Sequence, residues 1–293
     1  MTEPHGKLGL ALGCAGVVLF GGTLPATRLA VDTIDPLFLT AARAAIAGLA
    51  GLGLLLVLRR PPPARRAWRD LFLAGLCTIV GFPALMALAM ASVPAAHGGV
   101  VLGILPLATA AAATIVAHER PSIGFWLASV AGAAIVLAFV LDESESRTVA
   151  LGDLFLLGTV AAGGFGYAFS GRLSLSMPGW EVICWQVAGF LPLSVLAMFL
   201  LWPHGLPEAP WQAWAGLAYV SLISQFLAFF VFNAALAMAG VARVGQLMLM
   251  QPFVIVALAA VVNGETIRPA TLAYAGAVVA TVLIGQRMRV ARR

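Results

Sequence analysis

The chain has 293 residues, of which 61% are hydrophobic and only 10% are charged. A soluble domain carries roughly 25% charged residues, so this chain cannot cover itself with a solvated surface, and its mean hydropathy of +1.00 places it in a lipid bilayer. The net charge of +5 comes from basic residues in short loops between apolar runs, which indicates membrane topology rather than a nucleic-acid partner.

Apolar segments long enough to cross a membrane follow one another along the chain, since a spanning helix needs about 20 mainly apolar residues. We predict ten helices, at residues 8–31, 36–58, 69–91, 94–118, 121–141, 151–172, 178–201, 211–238, 240–263 and 268–288. Membrane strands alternate in polarity and need only about 9–11 residues. The predicted fold is therefore an all-α integral membrane protein.

The first segment resembles a secretory signal, because Lys7 precedes an apolar run. That run is longer than the 7–15 residues of a typical signal core. Its Gly21-Gly22 pair also recurs as Gly163-Gly164 in the sixth segment. We expect the first segment to be retained as a transmembrane helix.

The distribution of Lys and Arg predicts the orientation. With the N-terminus inside, the cytoplasmic loops and tails hold Lys7, Arg59, Arg60, Arg65, Arg66, Arg69, Arg120, Arg172, Arg243, Arg287, Arg289, Arg292 and Arg293. The opposite side holds only Arg28, Arg147 and Arg268. Cytoplasmic loops carry an excess of basic residues, so both termini are predicted to be cytoplasmic.

A sequence pattern occurs once in each half of the chain. The run Ala-Leu-Ala-Met-Ala stands at residues 87–91 and again at 235–239. Pro106 and Glu119 follow the first copy and Pro252 and Glu265 the second, each Pro-to-Glu step being thirteen residues. We predict two domains, at 8–141 and 151–288, with five helices each. Because each repeat has an odd number of helices, the second repeat crosses the membrane in the opposite direction to the first. In transporters built from inverted repeats, the substrate site lies near the membrane midplane.

Pro106 and Pro252 fall near the middle of their predicted helices. A proline inside a helix removes one hydrogen bond to the carbonyl four residues earlier, here Leu102 and Met248. We interpret the two prolines as hinges that open and close a central pathway. Static kinks are the alternative.

Small, amide and aromatic residues near mid-membrane are the candidate substrate contacts. With Arg43 and His97 they comprise Phe20, Gly22, Thr23, Phe82, Gly99, Phe165, Tyr167, Trp185, Gln225, Gln246 and Gln251. Packing glycines and hydrogen bonds between helices are the alternative explanations for these residues.

Arg43 is the one ionised residue plainly inside a predicted helix. An Arg near a helix centre costs about 2.5–3.5 kcal/mol on insertion scales, so Arg43 should face protein, water or a substrate carboxylate. Acidic residues, Asp153 among them, fall near the predicted membrane surfaces. Without a buried carboxylate, facilitated movement is favoured over ion coupling. No nucleotide-binding, zinc-protease or serine-nucleophile motif is present, so neither an enzyme nor a cofactor is expected.

The repeated pattern resembles the drug/metabolite transporter superfamily in its ten-helix EamA-type form. The matching residues are Ala87-Leu88, Pro106, Glu119 and Gly132, then Ala235-Leu236, Pro252, Glu265 and Gly276, with the stretch from Pro36 to Arg43. The resemblance implies two inverted five-helix repeats, and a cavity lined by helices 1, 3, 4, 6, 8 and 9. It is closest to the aromatic amino-acid exporters. One departure is Trp185, which stands in the second repeat where the first has Arg43.

The expected function is secondary export of small neutral or zwitterionic metabolites, aromatic or hydrophobic amino acids above all, across the inner membrane. Another solute is the alternative, although a nucleotide sugar would need several basic groups and a cationic drug a buried acid. A membrane scaffold without transport is the other class. The expected partners are a small-molecule substrate and lipid; monomer and homodimer stay open.

Overall fold

The computed structural model describes residues 3–116, 120–143, 149–202, 209–239, 247–287 and 290–291. Its helices are α1 (Glu3–Gly21), α2 (Thr23–Val31), α3 (Pro36–Val57), α4 (Trp68–Gly75), α5 (Phe82–Met90), α6 (Ala95–Leu102), α7 (Leu105–Val116), α8 (Ile123–Glu143), α9 (Leu151–Leu173), α10 (Gly179–Leu200), α11 (Trp211–Ala218), α12 (Ala228–Ala239), α13 (Gln251–Val262) and α14 (Pro269–Arg287). Short 3₁₀ turns lie at Arg65–Ala67 and Met248–Met250, and π-helical turns at Leu76–Gly81 and Tyr219–Leu227.

Within the described residues, seven helices are long and apolar enough to cross a membrane. They are Lys7–Val31, Pro36–Val57, Arg65–Met90, Ile123–Asp142, Leu151–Leu173, Gly179–Leu200 and Trp211–Ala235. The pair α6 and α7, bent by 43°, is an eighth if the two helices form one span, and Met248–Val262 and Pro269–Gly285 are shorter apolar helices. The predicted helical membrane architecture is confirmed, whereas the count of ten crossings stays a prediction.

One feature departs from a purely helical fold. Strands β1 (Arg120–Pro121) and β2 (Val290–Ala291) form a two-residue antiparallel pair, with Arg120 opposite Ala291. Pro121 has no N–H to donate, so it cannot give a ladder hydrogen bond. The pairing fastens the segment before α8 to the segment after α14.

Helix starts follow from the local sequence. Asp35 caps α3, because its Oδ1 accepts hydrogen bonds from the backbone N–H groups of Leu37 and Phe38 at 2.9 Å each. Pro36 then occupies the first turn, where a missing N–H costs nothing. The start of α6 is capped from far along the chain, since Glu265 accepts from the N–H groups of Ala95 (2.7 Å) and Ala96 (2.9 Å).

The two halves of the chain are interlocked. Helices α1, α3, α7 and α8 of the first half pack mainly on α12, α10, α9 and α14 of the second. The largest apolar core lies between the halves and includes the fully buried Met86, Phe139, Leu156 and Ile255. Neither half therefore has a complete core of its own.

The charged residues define two ends of the helical bundle. At the first, which we call the Arg60 end, Arg60 pairs with Glu181 (3.3 Å) and Arg172 with Asp70 (2.5 Å). At the second, the His97 end, Glu265 caps α6, and Arg268 pairs with Asp142 at 3.6 Å. Large apolar side chains within the helices, such as Leu49 of α3 and Leu196 of α10, are exposed, as a lipid-facing surface requires.

Gly216 allows α11 to approach α2 closely. A Cβ at this position would lie 2.5 Å from the carbonyl oxygen of Ala26, which is backbone and cannot rotate away. We expect Gly216→Ala to lower the free energy of unfolding by about 1–3 kcal/mol, the usual cost of overpacking. Thermal unfolding in detergent measures this. Gly53→Ala is the matched control, because a Cβ at Gly53 meets nothing within 4 Å. Equal melting temperatures for the two variants would contradict the close approach.

Candidate functional site

Irregular backbone from five segments meets at one place in the bundle. The segments are the break between α1 and α2 at Gly22, the turn at Leu76–Gly81, the break between α6 and α7, the turn at Tyr219–Leu227 and the turn at Met248–Met250. Each of the five contributes or adjoins residues that line a single cavity. Non-helical backbone inside a membrane protein is tolerated where it is buried in protein or lines a cavity, and π-turns are frequent at functional sites.

Prolines explain four of the five irregularities. Pro25, Pro83, Pro106 and Pro252 have no N–H to give to the carbonyl four residues earlier, so the regular ladder is interrupted just before each of them. The turn at Tyr219–Leu227 lacks a proline, and nothing in its sequence explains it.

This central cavity has a volume of about 310 Å³. Its polar lining consists of Thr23, Arg43, Thr78, Thr109, Tyr167, Ser224, Gln225 and Gln251. Its apolar lining includes Phe20, Leu24, Phe82, Leu102, Leu105, Ile183, Phe229, Met248, Leu249, Ile255 and Val279. Arg43 is the one charged side chain in this lining as far as the chain is described. The cavity is thus an apolar chamber with one cation and several neutral polar groups.

Arg43 lies in the first third of α3 and is only 4% exposed. Its Nε is buried without a hydrogen-bond partner, and no carboxylate in the described part of the chain pairs with its guanidinium. Tyr167 on α9 is close enough to interact with it electrostatically. A buried guanidinium with no counter-ion is costly, so the geometry leaves Arg43 with donors for a ligand in the cavity.

Two other arginines show what a structural arginine looks like in this bundle. Arg172 donates from one guanidinium nitrogen to the carbonyl oxygen of Val116 at 2.6 Å and contacts Asp70 with another. Arg28 donates to the carbonyl oxygen of Met90, at the end of α5. Both cap helix C-termini, where a cation is favourable. Arg43 makes no such bond that the structure describes.

A hydrogen-bonded seam closes the cavity between α2 and the turn at Tyr219–Leu227. Thr23 and Ser224 share a hydrogen bond at 2.7 Å, and Thr23 is also 2.6 Å from the carbonyl oxygen of Phe20. The hydroxyl of Tyr219 donates to the carbonyl oxygen of Leu19 at 2.9 Å. These bonds stabilise the interrupted first helix by satisfying carbonyls near its break.

The two predicted hinge prolines lie at helix starts rather than inside helices, which corrects the expectation of mid-helix kinks. Pro106 is the second residue of α7 and Pro252 the second residue of α13. Before Pro106 the chain tightens, because Gly103 and Ile104 donate to the carbonyls of residues three positions back, at 3.0 and 3.4 Å. The chain therefore breaks and bends just before Pro106, whereas at Pro252 the 3₁₀ turn at Met248–Met250 runs directly into α13.

Most of the predicted contacts meet at the central cavity. Its lining includes Phe20, Thr23, Arg43, Phe82, Gly99, Pro106, Tyr167, Gln225, Gln251 and Pro252. Gly22, His97, Phe165 and Trp185 are not in this lining, and Gln246 lies outside the described residues.

Helix rotation explains why Phe165 points away. At 3.6 residues per turn, Gly163 and Tyr167 share one face of α9, and Phe165 falls on the opposite face; its side chain is 36% exposed. Trp185 packs edge-to-face on Trp68, with ring centroids 5.9 Å apart. The sequence indicates how deep in the membrane a helical residue lies better than it indicates which face of the helix that residue occupies.

Gly22 lies behind the cavity wall. The Tyr219 ring packs directly on it, so that a Cβ at Gly22 would collide with the Tyr219 hydroxyl. This glycine shapes the wall and does not reach the space inside.

The lining also includes residues that were not predicted as contacts, notably Thr78, Thr109, Ser224 and Phe229. Thr78 donates to Gln186 Oε1 at 3.0 Å, and Gln186 donates to Ser170 at 3.0 Å, so this wall is held by a polar network. The sequence feature that could have indicated Thr78 and Ser224 is the predicted helix in which each residue lies. Thr78 lies in the third predicted helix and Ser224 in the eighth, which are equivalent helices of the two predicted repeats.

His97 and Asp153 form a second polar group, at the His97 end. His97 Nε2 and Asp153 Oδ1 are 2.7 Å apart, and the two residues are only 8% and 3% exposed. Asp153 was expected at the membrane surface, yet its carboxylate is buried because His97 and the N–H of Ala150 bind it. A second cavity of about 270 Å³ adjoins His97.

Comparison with known proteins gives one family for the whole chain. The model of the EamA-like transporter family matches twice, at residues 7–141 and 150–285. The uncharacterized transporter YdeK of Bacillus subtilis (strain 168) is 41% identical over 275 residues, covering 94% of this chain and 96% of that protein. A probable terminal-alkyne amino-acid exporter of Streptantibioticus cattleyicolor is 26% identical over 286 residues, covering 94% and 93%.

A solved crystal structure has a similar fold. It superposes with a TM-score of 0.61 at 20% sequence identity, over 97% of this chain and 99% of that one. At this identity the similarity concerns the fold alone.

Proposed function

This chain belongs to the EamA-like transporter family, and on that premise we propose that it exports an amino acid with an apolar or aromatic side chain. The family makes it a multi-pass membrane transporter of small molecules, not an enzyme. The observation that carries the proposal is Arg43, which is buried in the wall of a largely apolar cavity with no counter-ion among the described residues.

A substrate carboxylate would complete the arginine site. A guanidinium and a carboxylate match in geometry and form two parallel charge-assisted hydrogen bonds. Inside a bilayer, intramembrane ionisable groups pair with one another or mark a substrate path. Arg43 has no carboxylate partner among the described residues, so the favoured ligand is a small anion such as a carboxylate.

The rest of the lining favours an amphipathic substrate. Phe20, Phe82 and Phe229 offer aromatic faces, and Gln225 and Gln251 offer amide oxygens for an amino group. A volume of about 310 Å³ is at the small end of ligand pockets, which suits a single small metabolite. A nucleotide sugar would want more than one basic group, and a cationic drug would want a carboxylate that the described lining lacks.

The relatives add support of unequal weight. The 26% identical protein is named a probable terminal-alkyne amino-acid exporter, which is consistent with a zwitterionic substrate. The 41% identical transporter is named without a substrate. We place the aromatic or apolar amino-acid preference on the cavity rather than on these names.

We further propose alternating access between two inverted repeats, 8–141 and 151–288, in the inner membrane. Arg59, Arg60, Arg65, Arg66 and Arg69 cluster at the Arg60 end, so the positive-inside rule supports a cytoplasmic position for that end and for both termini. The reciprocal pairing of first-half and second-half helices supports a two-fold relation. Pro106 and Pro252 are the proposed hinges.

Thermal unfolding with candidate ligands tests the substrate class. A ligand that binds only the folded protein raises the melting temperature, so phenylalanine, leucine or related amino acids should stabilise the purified transporter. Phenylalaninamide, which lacks the carboxylate, should stabilise it less than phenylalanine at equal concentration. Saturable flux of labelled phenylalanine or leucine in proteoliposomes is then expected. Proteoliposomes without saturable flux of any amino acid would contradict the proposal and favour another solute or a scaffold.

A further inference from the structure

The buried pair His97–Asp153 joins the two halves of the chain. His97 lies on the short helix α6, and Asp153 lies in the first turn of α9. Their nitrogen and oxygen atoms are 2.7 Å apart. The His97 ring also packs on the ring of Phe139, with centroids 4.8 Å apart. A titratable pair thus lies at an interface between the two matched segments.

Among the described residues, several charged groups surround this pair. Those that neighbouring elements bring to the His97 end include Asp153 and Glu265, Arg28 with Asp32, and Arg268 with Asp142. Glu265 binds the first two N–H groups of α6. The two arginines have carboxylate neighbours of their own at 3.8 and 3.6 Å. Among the side chains in this group, histidine is the type whose charge ordinarily changes between pH 5 and 8.

His97 has a route to solvent. The second cavity is lined by His97 and Phe139 and also by Glu265, Arg268 and Thr271. Arg268 and its neighbour Asp142 are both about half exposed, which puts the rim of this cavity at the protein surface. A proton can therefore approach His97 from the His97 end without crossing the apolar core.

Helix α6 connects this pair to the central cavity. Its eight residues span about 12 Å at 1.5 Å per residue. Ala95 and His97 at one end are bound by Glu265 and Asp153, while Gly99 and Leu102 line the central cavity. Immediately beyond, the chain breaks and turns by 43° into α7. A change at the bound end of this short rigid helix would move the cavity wall.

We propose that the His97–Asp153 pair is a proton-binding site that fastens α6 and closes the His97 end of the transporter. This goes beyond the proposed substrate and does not depend on it; the proposed orientation makes this the outer end. With neutral His97 the pair is a hydrogen bond to a single charge, the Asp153 carboxylate. When His97 binds a proton from the outer side, the pair carries two opposite charges, and their attraction strengthens the contact. A falling outer pH then holds the outer end closed, and a rising pH releases it.

Hydrogen–deuterium exchange of the purified full-length protein tests this without any substrate. Exchange protection of residues 95–102, corrected for the intrinsic pH dependence of exchange, should rise about tenfold between pH 8 and pH 5, since a gain of about 1.4 kcal/mol in closing energy is a factor of ten. Amino-acid binding by thermal shift is measured separately, so the failure of one proposal does not imply failure of the other.

Two variants separate a proton site from a static contact. His97→Gln and Asp153→Asn keep a hydrogen-bonding side chain but cannot form the protonated pair, so α6 should lose the pH dependence of its protection. Asp142→Asn is the matched control at the rim and should keep it. Wild-type protection of α6 that does not change with pH would overturn the proposal. So would a His97→Gln variant that retains the tenfold change, a result that needs only this one variant to fold.

Discussion

Replacing Arg43 by Gln raises the concentration of amino acid needed for half-maximal transport by about 10- to 100-fold. Hydrogen bonds to charged groups contribute about 1.5–3 kcal/mol, and 1.4 kcal/mol corresponds to a factor of ten. Gln keeps a polar side chain of similar reach but supplies neither the charge nor the paired N–H groups that a carboxylate prefers. Initial rates in proteoliposomes over a range of substrate concentrations measure the change.

The control for Arg43 is the same substitution at Arg172. Because Arg172 already binds Val116 and Asp70, Arg172→Gln should lower thermal stability and leave the half-saturation concentration unchanged. Ligand chemistry gives a second check. The wild-type protein should prefer phenylalanine over phenylalaninamide, and Arg43→Gln should abolish that preference. If Arg43→Gln only reduces the yield of folded protein, while affinity and preference persist, Arg43 is structural.

Replacing Pro106 or Pro252 by Ala slows transport by at least about tenfold while substrate binding persists. Pro106 lies at the start of α7, just after the break from α6, and Pro252 lies at the start of α13, just after the 3₁₀ turn at Met248–Met250. Proline in a helix interior costs about 3 kcal/mol or more, so Ala at these positions favours a continuous, straighter helix by a comparable amount. A straighter helix would oppose the change in the cavity wall that alternating access requires.

Matched measurements distinguish a hinge from a static kink. Thermal shift with phenylalanine reports binding, and counterflow at equal reconstituted protein reports the rate. Pro192→Ala is the control, because Pro192 lies inside α10, outside the lining of the central cavity. It should leave the rate near that of wild type. Equal rates for all three variants would reduce Pro106 and Pro252 to fixed elements of the fold.

The sequence predicted which segments are helical and which residue carries the intramembrane charge. Apolar runs are a strong signal, and an ionised residue within one, such as Arg43, is rare enough to stand out. The prolines also indicated where the regular helical hydrogen bonds would be interrupted, although not that α7 would begin at Leu105 and α13 at Gln251.

The sequence could not show which face of a helix a residue occupies, or which distant residue is its partner. Phe165 has the depth of the cavity residues but the wrong face, since almost every residue of α9 is compatible with lipid or protein. Asp153 looked like a surface residue because its partner, His97, lies 56 positions away along the chain. The turn at Tyr219–Leu227 has no proline or other local cause that sequence could show.

The interlocking of α3 with α10 and of α1 with α12 bears on how the protein is made. Synthesis proceeds from the N-terminus, so the first half enters the bilayer before α10 and α12 exist. Until they arrive, Arg43 and Thr23 lack the walls that enclose them, and an unshielded arginine in lipid is costly. During synthesis, the first half alone is therefore an incompletely folded intermediate. Packing of the second half against it then supplies the free energy that encloses the central cavity.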